Sequence, residues 1–184
     1  MTNKIDRRII KSQKAIQSTF LSMLIKDGFD EITVKKITEQ ADISRKTFYL
    51  HYLDKYDLLD TIVNKKLEEL EEICEQKKEK GFIDGTVIWF NYFDENKDFF
   101  SALFSSKSTV SFRKQLLDFM MNQLSKKINN ISAGKDPEIL LRFLSMAVLG
   151  ILESFILNEL NSSTEEIAKQ VGELLLQNIS LSSH

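Results

Sequence analysis

Apolar side chains recur at the three- and four-residue spacing of an α-helix along most of the chain. The first such stretch covers about residues 7–26, and Gly28 follows it where a left-handed residue commonly ends a helix. The inward-facing positions of this stretch are Ile9, Ile16, Phe20, Met23 and Leu24. The pattern therefore predicts a long amphipathic first helix with one buried face.

Two short helices are predicted next, separated by a tight turn at Asp42 and Ile43. Thr33 is a favourable N-cap for the first, at about 34–41, and Ser44 for the second, at about 45–52. The inward residues of the second are Phe48 and Tyr52.

The rest of the chain also has a helical pattern. A long helix is predicted from Lys55 towards Lys78, with Asp54 as its N-cap. Further helices are expected at about 82–93, 96–105, 109–130, 137–160 and 163–179. Because the 184 residues include only 6 Gly and 1 Pro, strands and long linkers are unfavourable. The predicted fold is all-α, with a three-helix N-terminal domain at 1–56 and a C-terminal helical bundle at 57–184.

Charge is distributed unevenly between these two parts. Residues 1–56 contain 11 Lys and Arg against 7 Asp and Glu, whereas the remainder contains 14 against 20. A basic N-terminal part on an acidic body suits a protein with one polyanion-binding end.

Cysteine content and hydropathy bear on the compartment. Cys74 is the single cysteine, so no internal disulfide can form, and this favours a reducing compartment. The N-terminal residues contain no uninterrupted apolar run typical of a signal peptide. The most apolar segment, residues 143–157, is too short to span a bilayer. We therefore expect a cytoplasmic protein with no membrane partner.

The pair of short helices is the most informative feature of the sequence. Since neither helix can bury its own apolar face, the helices before and after the pair must cover both. The second short helix then exposes Arg45, Lys46, Thr47 and Tyr49. The DNA major groove admits one helix, and its base edges present patterns that Arg, Lys and Thr can read. In the alternative interpretation, the cations are merely solvated and Tyr49 covers the core.

Residues 41–59, Ala-Asp-Ile-Ser-Arg-Lys-Thr-Phe-Tyr-Leu-His-Tyr-Leu-Asp-Lys-Tyr-Asp-Leu-Leu, resemble the helix-turn-helix of the TetR family of transcription regulators. The likeness extends over residues 9–60. Lys46 departs from the family pattern, in which glycine is frequent at this place, and Tyr52 and Leu53 stand where Phe and Pro or Ser are commoner. The resemblance implies a sequence-specific DNA-binding transcription regulator.

The resemblance also implies roles for individual residues. The implied base readers are Arg45, Lys46 and Thr47. The implied phosphate contacts are Thr33, Ser44, Tyr49, His51 and Lys55. The implied partner is double-stranded DNA with a palindromic operator.

Helix 137–160 is apolar almost all round, so it must be covered on several sides. Small residues there and in the last helix would let a partner helix approach closely. The predicted homodimer interface consists of Ala147, Gly150, Ile151, Ser154, Ala168, Val171, Gly172 and Leu175. The TetR resemblance implies the same kind of pairing, and the alternative is a monomeric bundle with a fully buried central helix.

The bundle is rich in aromatic residues that could line an apolar ligand cavity or simply form core. The candidate lining residues are Trp89, Phe93, Phe100, Phe104, Phe119, Met120, Phe143 and Met146. Residues 91–105 and 150–158 loosely resemble the C-terminal region of a TetR branch that includes dihydroxyacetone-kinase-type regulators. We expect a repressor that a small apolar or aromatic effector releases, and activation remains an alternative.

Other classes of protein receive little support. The sequence has no paired carboxylates in an apolar context, no Cys/His pair and no Gly-rich phosphate loop. His51 and His184 are its only histidines. We therefore predict no enzyme, no catalytic residue, no metal site and no cofactor. The alternative function is a helical protein–protein adaptor without DNA binding.

Overall fold

The computed structural model describes residues 2–76, 80–126 and 136–180, with side chains described from residue 7 to residue 178 within those ranges. Those residues form an all-α fold, as predicted. The helices are α1 (Thr2–Asp27), α2 (Val34–Gln40), α3 (Arg45–Tyr49), α4 (Lys55–Gln76), α5 (Phe82–Glu95), α6 (Lys97–Ser105), α7 (Val110–Ser125), α8 (Pro137–Ile156) and α9 (Thr164–Ser180), with one 3₁₀ turn at Phe29–Glu31.

Some predictions fall outside the described residues. They are the end of the fourth helix near Lys78, the last residues of the predicted helix 109–130, and His184.

The first three helices pack around one core. α1 ends at Asp27, and Gly28 follows with φ of +80°, a conformation in which a side chain would be strained. Phe20 of α1, Ile37 of α2 and Phe48 of α3 are all fully buried in one core. The prediction that Ile9 faces inward is wrong, because α1 extends beyond the helices that it covers and Ile9 is about half exposed there.

The helices α5 to α9 form the C-terminal bundle, here called the body. They pack mainly as the pairs α5 with α9 and α7 with α8. The buried ring of Phe100 lies between those of Phe93 of α5 and Phe112 of α7, with ring centres 4.5 and 6.0 Å away. Gly172 of α9 lies against α5 so closely that a Cβ atom there would be 3.2 Å from the Cα of Ile83. A small residue at 172 therefore permits helix packing within one chain.

α8 begins at Pro137, as predicted, but ends four residues earlier than its apolar pattern suggested. Asp136 accepts hydrogen bonds from the backbone of Glu138 and Ile139 and so begins the helix at Pro137. The helix ends at Ile156, and Asn158 follows with φ of +58°. With 20 residues, α8 extends well before the apolar segment 143–157, and it is long and apolar enough to cross a membrane by length and composition. The prediction that length alone excludes a membrane span here is therefore wrong. A core helix of a soluble protein passes the same test, and one face of α8 is buried against the other helices of the body.

Candidate nucleic-acid interface

Local hydrogen bonds fix the start of α3. Ser44 accepts a hydrogen bond from the backbone N–H of Thr47 at 3.0 Å, and its hydroxyl lies 2.9 Å from that of Thr47. In α2, Thr33 does the same for the N–H of Lys36 at 3.2 Å. Both predicted N-caps are confirmed. Since Thr33 and Ser44 are exposed, their hydroxyls remain accessible from outside.

The turn between α2 and α3 sets how the two helices meet. Asp42 has φ of +52°, which an Asp tolerates better than most residues do. The N–H of Ile43 donates to the carbonyl of Thr38 at 3.0 Å and closes the turn. Phe48 then points into the core, while Tyr52, also buried, accepts a hydrogen bond from the Gln17 amide of α1 at 2.9 Å. The helix itself stops at Tyr49, earlier than predicted, and Leu50 is its C-cap.

This arrangement presents two cations to the exterior. Arg45 and Lys46 are both exposed, and within the described ranges no ion pair joins either of them to an acidic side chain. Tyr49, one turn after Arg45, is 57% exposed. Thr47 is half-buried, and its hydroxyl faces that of Ser44. A short helix with free cationic groups on its outer side can donate hydrogen bonds to base edges.

His51 lies at the edge of this surface and is half-buried. Its Nε2 atom is 2.7 Å from the hydroxyl oxygen of Ser12, which joins the residues after α3 to α1. The bond gives His51 a positioning role that the sequence did not indicate. Its contact with a phosphate stays a prediction.

Lys55 has a structural role that the sequence did not suggest. Its ammonium donates to the backbone carbonyls of Ile32 at 2.9 Å and Phe29 at 3.1 Å, and it lies 4.5 Å from the centre of the Phe29 ring. Two of its three N–H groups are therefore used inside the protein. We interpret Lys55 as the residue that holds the start of α4 against the junction of α1 and α2, and its phosphate contact stays a prediction.

Replacing Lys55 with methionine should therefore lower stability. The variant keeps the apolar stem but removes the ammonium from both carbonyls, of which only that of Phe29 keeps another donor, the N–H of Ile32, at a cost of about 1–3 kcal/mol in the free energy of unfolding. Urea denaturation measures the change. The exposed Lys46→Met variant is the control and should stay within about 0.5 kcal/mol of the unchanged protein. Equal stability of the two variants would contradict the role assigned to Lys55.

A polar contact joins the N-terminal domain to the body. The hydroxyl of Ser106, after α6, donates to a carboxylate oxygen of Asp30 at 3.1 Å. A hydrogen bond from the Ser108 side chain holds the pKa of Asp30 below its ordinary value, assisted by Ser106 and by the positive charge of Lys55. Asp30 therefore stays ionised and available as an acceptor near neutral pH.

The body contains a small apolar cavity of about 80 Å³ between α4, α5, α7, α8 and α9. Trp89 and Met120, two of the predicted lining residues, do line it, together with Cys74, Gln123, Val148 and Leu175. Phe93, Phe100 and Phe104 are instead buried core outside its lining, and Phe119 is half-buried and also outside it. The prediction for Phe143 and Met146 is wrong, because both lie on the exposed face of α8.

The predicted dimer residues separate into two groups. Ala147 and Gly150 lie on the exposed face of α8, and Ile151 and Ser154 are half-buried beside it. The assignment of the four α9 residues to a dimer interface is wrong, since the face of α9 that contains them is buried within the same chain, where α9 packs mainly on α5. These residues are Ala168, Val171, Gly172 and Leu175. Spacing alone could not distinguish packing within a chain from packing between chains.

Comparison with known proteins agrees with this geometry. The sequence model of the tetR family of bacterial regulatory proteins matches residues 21–62, and that of a transcriptional regulator C-terminal region matches residues 80–177. The N-terminal match contains α2, α3 and the start of α4, and the C-terminal match contains more than half of the chain.

Individual relatives support the same assignment. The chain is 38% identical over 68 residues to the HTH-type transcriptional regulator YxbF of Bacillus subtilis. These 68 residues cover 36% of this chain and 18% of YxbF. It is 25% identical over 180 residues to DhaS of Lactococcus lactis, the HTH-type dhaKLM operon transcriptional activator, covering 95% of this chain and 94% of DhaS.

Among solved structures, a TetR transcriptional regulator from Streptococcus agalactiae has the same fold, with a TM-score of 0.75 and 23% identity over 95% of this chain and 99% of that one. The predicted resemblances to the TetR family and to dihydroxyacetone-kinase-type regulators are thus confirmed. The chain belongs to the tetR family of bacterial regulatory proteins, a family of DNA-binding transcriptional regulators and not of enzymes.

Proposed function

We propose that the protein is a homodimeric regulator that binds a palindromic operator and represses transcription until a small apolar effector releases it. One observation supports the DNA-reading part above all others. Arg45 and Lys46 are exposed on α3, while Phe48 of the same helix is fully buried and holds that helix in place. In this proposal Arg45, Lys46 and Thr47 read base edges. Thr33, Ser44 and Tyr49 contact phosphates, and the protein acts in the cytoplasm.

The exposed face of α8 supports pairing of two copies. Ile139, Phe143, Met146 and Gly150 follow one another at intervals of four, three and four residues, so they form one stripe along the helix. Phe143 is 64% exposed, and a contiguous apolar stripe of this kind commonly marks an interface. Within the described parts of the chain, no side chain comes within 4 Å of a Cβ built on Gly150, which leaves room for a partner helix. Pairing would supply the second α3 that a palindromic site needs.

A charge on this stripe tests the dimer. We expect Phe143→Glu to convert the protein to a folded monomer, because pairing would bury two unpaired carboxylates while the monomer keeps them in water. Light scattering after size-exclusion chromatography measures the mass. Val110→Glu is the control, since Val110 is equally exposed but begins α7. A Phe143→Glu protein that stays dimeric would place the interface elsewhere.

The cavity and α4 support a link between an effector and the DNA-binding surface. Cys74 of α4 lines the cavity, and Lys55 at the other end of α4 contacts the α1–α2 junction. The two residues are 19 positions apart, about 28 Å along the helix. At about 80 Å³, the cavity is far smaller than the roughly 300–1,000 Å³ that drug-sized ligands occupy. A larger effector would have to widen it, and displacement of α4 would then tilt α3.

Such an effector acts only through the difference between its affinities for two arrangements of the protein, the one that binds DNA and the one in which α3 is tilted. The contact between Asp30 and Ser106 provides a second link between domain and body. Displacement of α6 or α7 would break that contact and free the DNA-binding domain to rotate.

Activation is a second candidate for the regulatory outcome. The relative DhaS, similar over nearly the whole chain, is named as a transcriptional activator. A reporter gene under the adjacent promoter distinguishes repression from activation. Deletion of the regulator raises expression if the protein is a repressor and lowers it if the protein is an activator.

Selection from a random pool of duplexes tests DNA reading directly. We expect enrichment of one inverted repeat whose half-site centres lie about 10 base pairs, or a multiple of that, apart. Affinity for it should fall steeply as salt rises, because phosphate contacts release counterions. A protein that enriches no sequence and ignores duplex DNA at low salt would be an adaptor instead.

A further inference from the structure

The outer side of α3 ends in a leucine. Successive residues of a helix are about 100° apart, so the residues two before and two after Phe48 lie on the side opposite to it. These residues are Lys46 and Leu50. Phe48 is fully buried, and Leu50 still has helical φ and ψ of −76° and −19°. Leu50 therefore points outward, and it is 75% exposed.

Two parallel rows thus run along the outer side of α3. Lys46 is followed one turn later by Leu50, and Arg45 is followed one turn later by Tyr49. Each row begins with a cation and ends with an apolar or aromatic side chain. If the first turn of α3 meets base edges, the second turn meets the neighbouring base pairs in the same groove.

The chemistry of leucine restricts what it can recognise there. A leucine side chain neither donates nor accepts a hydrogen bond. The base edges of the major groove carry one apolar group, the C5-methyl of thymine. We propose that Leu50 is a specificity-determining residue that packs against a thymine methyl group in each half of the operator. The inference rests on the proposed function of α3 as the DNA-reading helix.

The surroundings of Leu50 favour DNA over a protein partner. Lys46 shares its side of the helix, and a protein interface covering Leu50 would have to bury that cation with a partner of its own. DNA supplies base acceptors and phosphates for the cations and a methyl group for the leucine on one surface. Exposure alone would not distinguish Leu50, because Leu53 is also exposed, but Leu53 lies beyond α3.

The test uses the operator selected from random duplexes, prepared with deoxyuridine in place of thymine at one symmetric pair of positions at a time. This exchange removes only the methyl groups. At one pair, the unchanged protein should lose about fourfold in affinity per half-site, or roughly fifteenfold per duplex. At that pair, Leu50→Ala should bind the thymine and deoxyuridine duplexes with equal affinity. At every other pair, its ratio of affinities should equal that of the unchanged protein. Leu160→Ala, an exposed leucine of the body, should keep the full ratio.

Two results would overturn the inference: equal affinity of the unchanged protein for thymine and deoxyuridine at every position, or a full methyl ratio retained by Leu50→Ala. Neither result affects the proposed function, which fails only if no operator is selected at all. Since Leu50 is exposed, its alanine variant should fold, and an unchanged affinity for unrelated DNA shows that it does.

Discussion

Arg45→Ala should weaken binding to the operator by about 2–6 kcal/mol, a loss from about thirty-fold to about twenty-thousand-fold. An arginine that bonds a guanine with two N–H groups contributes about 1–3 kcal/mol of discrimination, and a dimer contains two such residues. Arg45 is free to make this contact because, within the described parts of the chain, no carboxylate is paired with it. Gel-shift titration at fixed salt against the operator and against unrelated DNA measures the effect.

The size of the loss on unrelated DNA decides the role of Arg45. A base reader should lose affinity for the operator far more than for unrelated duplexes, so the ratio between them falls. Lys114→Ala, which removes an exposed charge from the body, should change neither affinity by more than about twofold. An equal loss on both DNAs would mean that Arg45 contacts phosphates only.

Phe48→Ala should destabilise the protein by about 3–5 kcal/mol, the usual cost of removing a buried phenylalanine. Phe48 is fully buried, and its ring contacts those of Tyr49 and Tyr52 with centres 5.5 and 5.8 Å apart. Its loss removes the side chain that holds α3 against α1, so DNA binding should be lost with it. Thermal and urea denaturation followed by circular dichroism measure the change.

The neighbouring residue provides the matched control. Tyr49→Ala shortens an exposed aromatic side chain in the same helix, so stability should change by less than about 1 kcal/mol while affinity for DNA falls. A stable Phe48→Ala protein with normal DNA binding would contradict the arrangement of α3 described above.

The predictions that the structure confirmed in detail depend on residues close together in the chain. Ser44 and Thr47 are three residues apart, as are Thr33 and Lys36, and Asp54 accepts from the backbone of Tyr56 and Asp57. Caps of this kind are local chemistry, so a sequence pattern is sufficient to place them. The same holds for Phe48, whose inward position follows from helical spacing once the start of α3 is known.

The predictions that failed depend on which surface covers an apolar face. The small residues of α9 suggested contact with a second chain, but Gly172 faces Ile83 of the same chain. Phe143 and Met146 suggested a cavity, but they lie on the uncovered side of α8. Hydrophobic burial is not directional, so the pattern shows that a face needs covering without showing by what.

By itself, the amino-acid sequence determined an all-helical chain, the caps and turn of a helix-turn-helix, and the cations that this motif exposes, because each depends on contacts within one or two helical turns. The tertiary structure alone decided that Lys55 donates hydrogen bonds to carbonyls 23 and 26 residues away. It also decided that α9 packs against α5 of the same chain and that Leu50 is exposed on the outer side of α3. Those outcomes depend on the relative orientation of whole helices, which many side chains set together and no short pattern records.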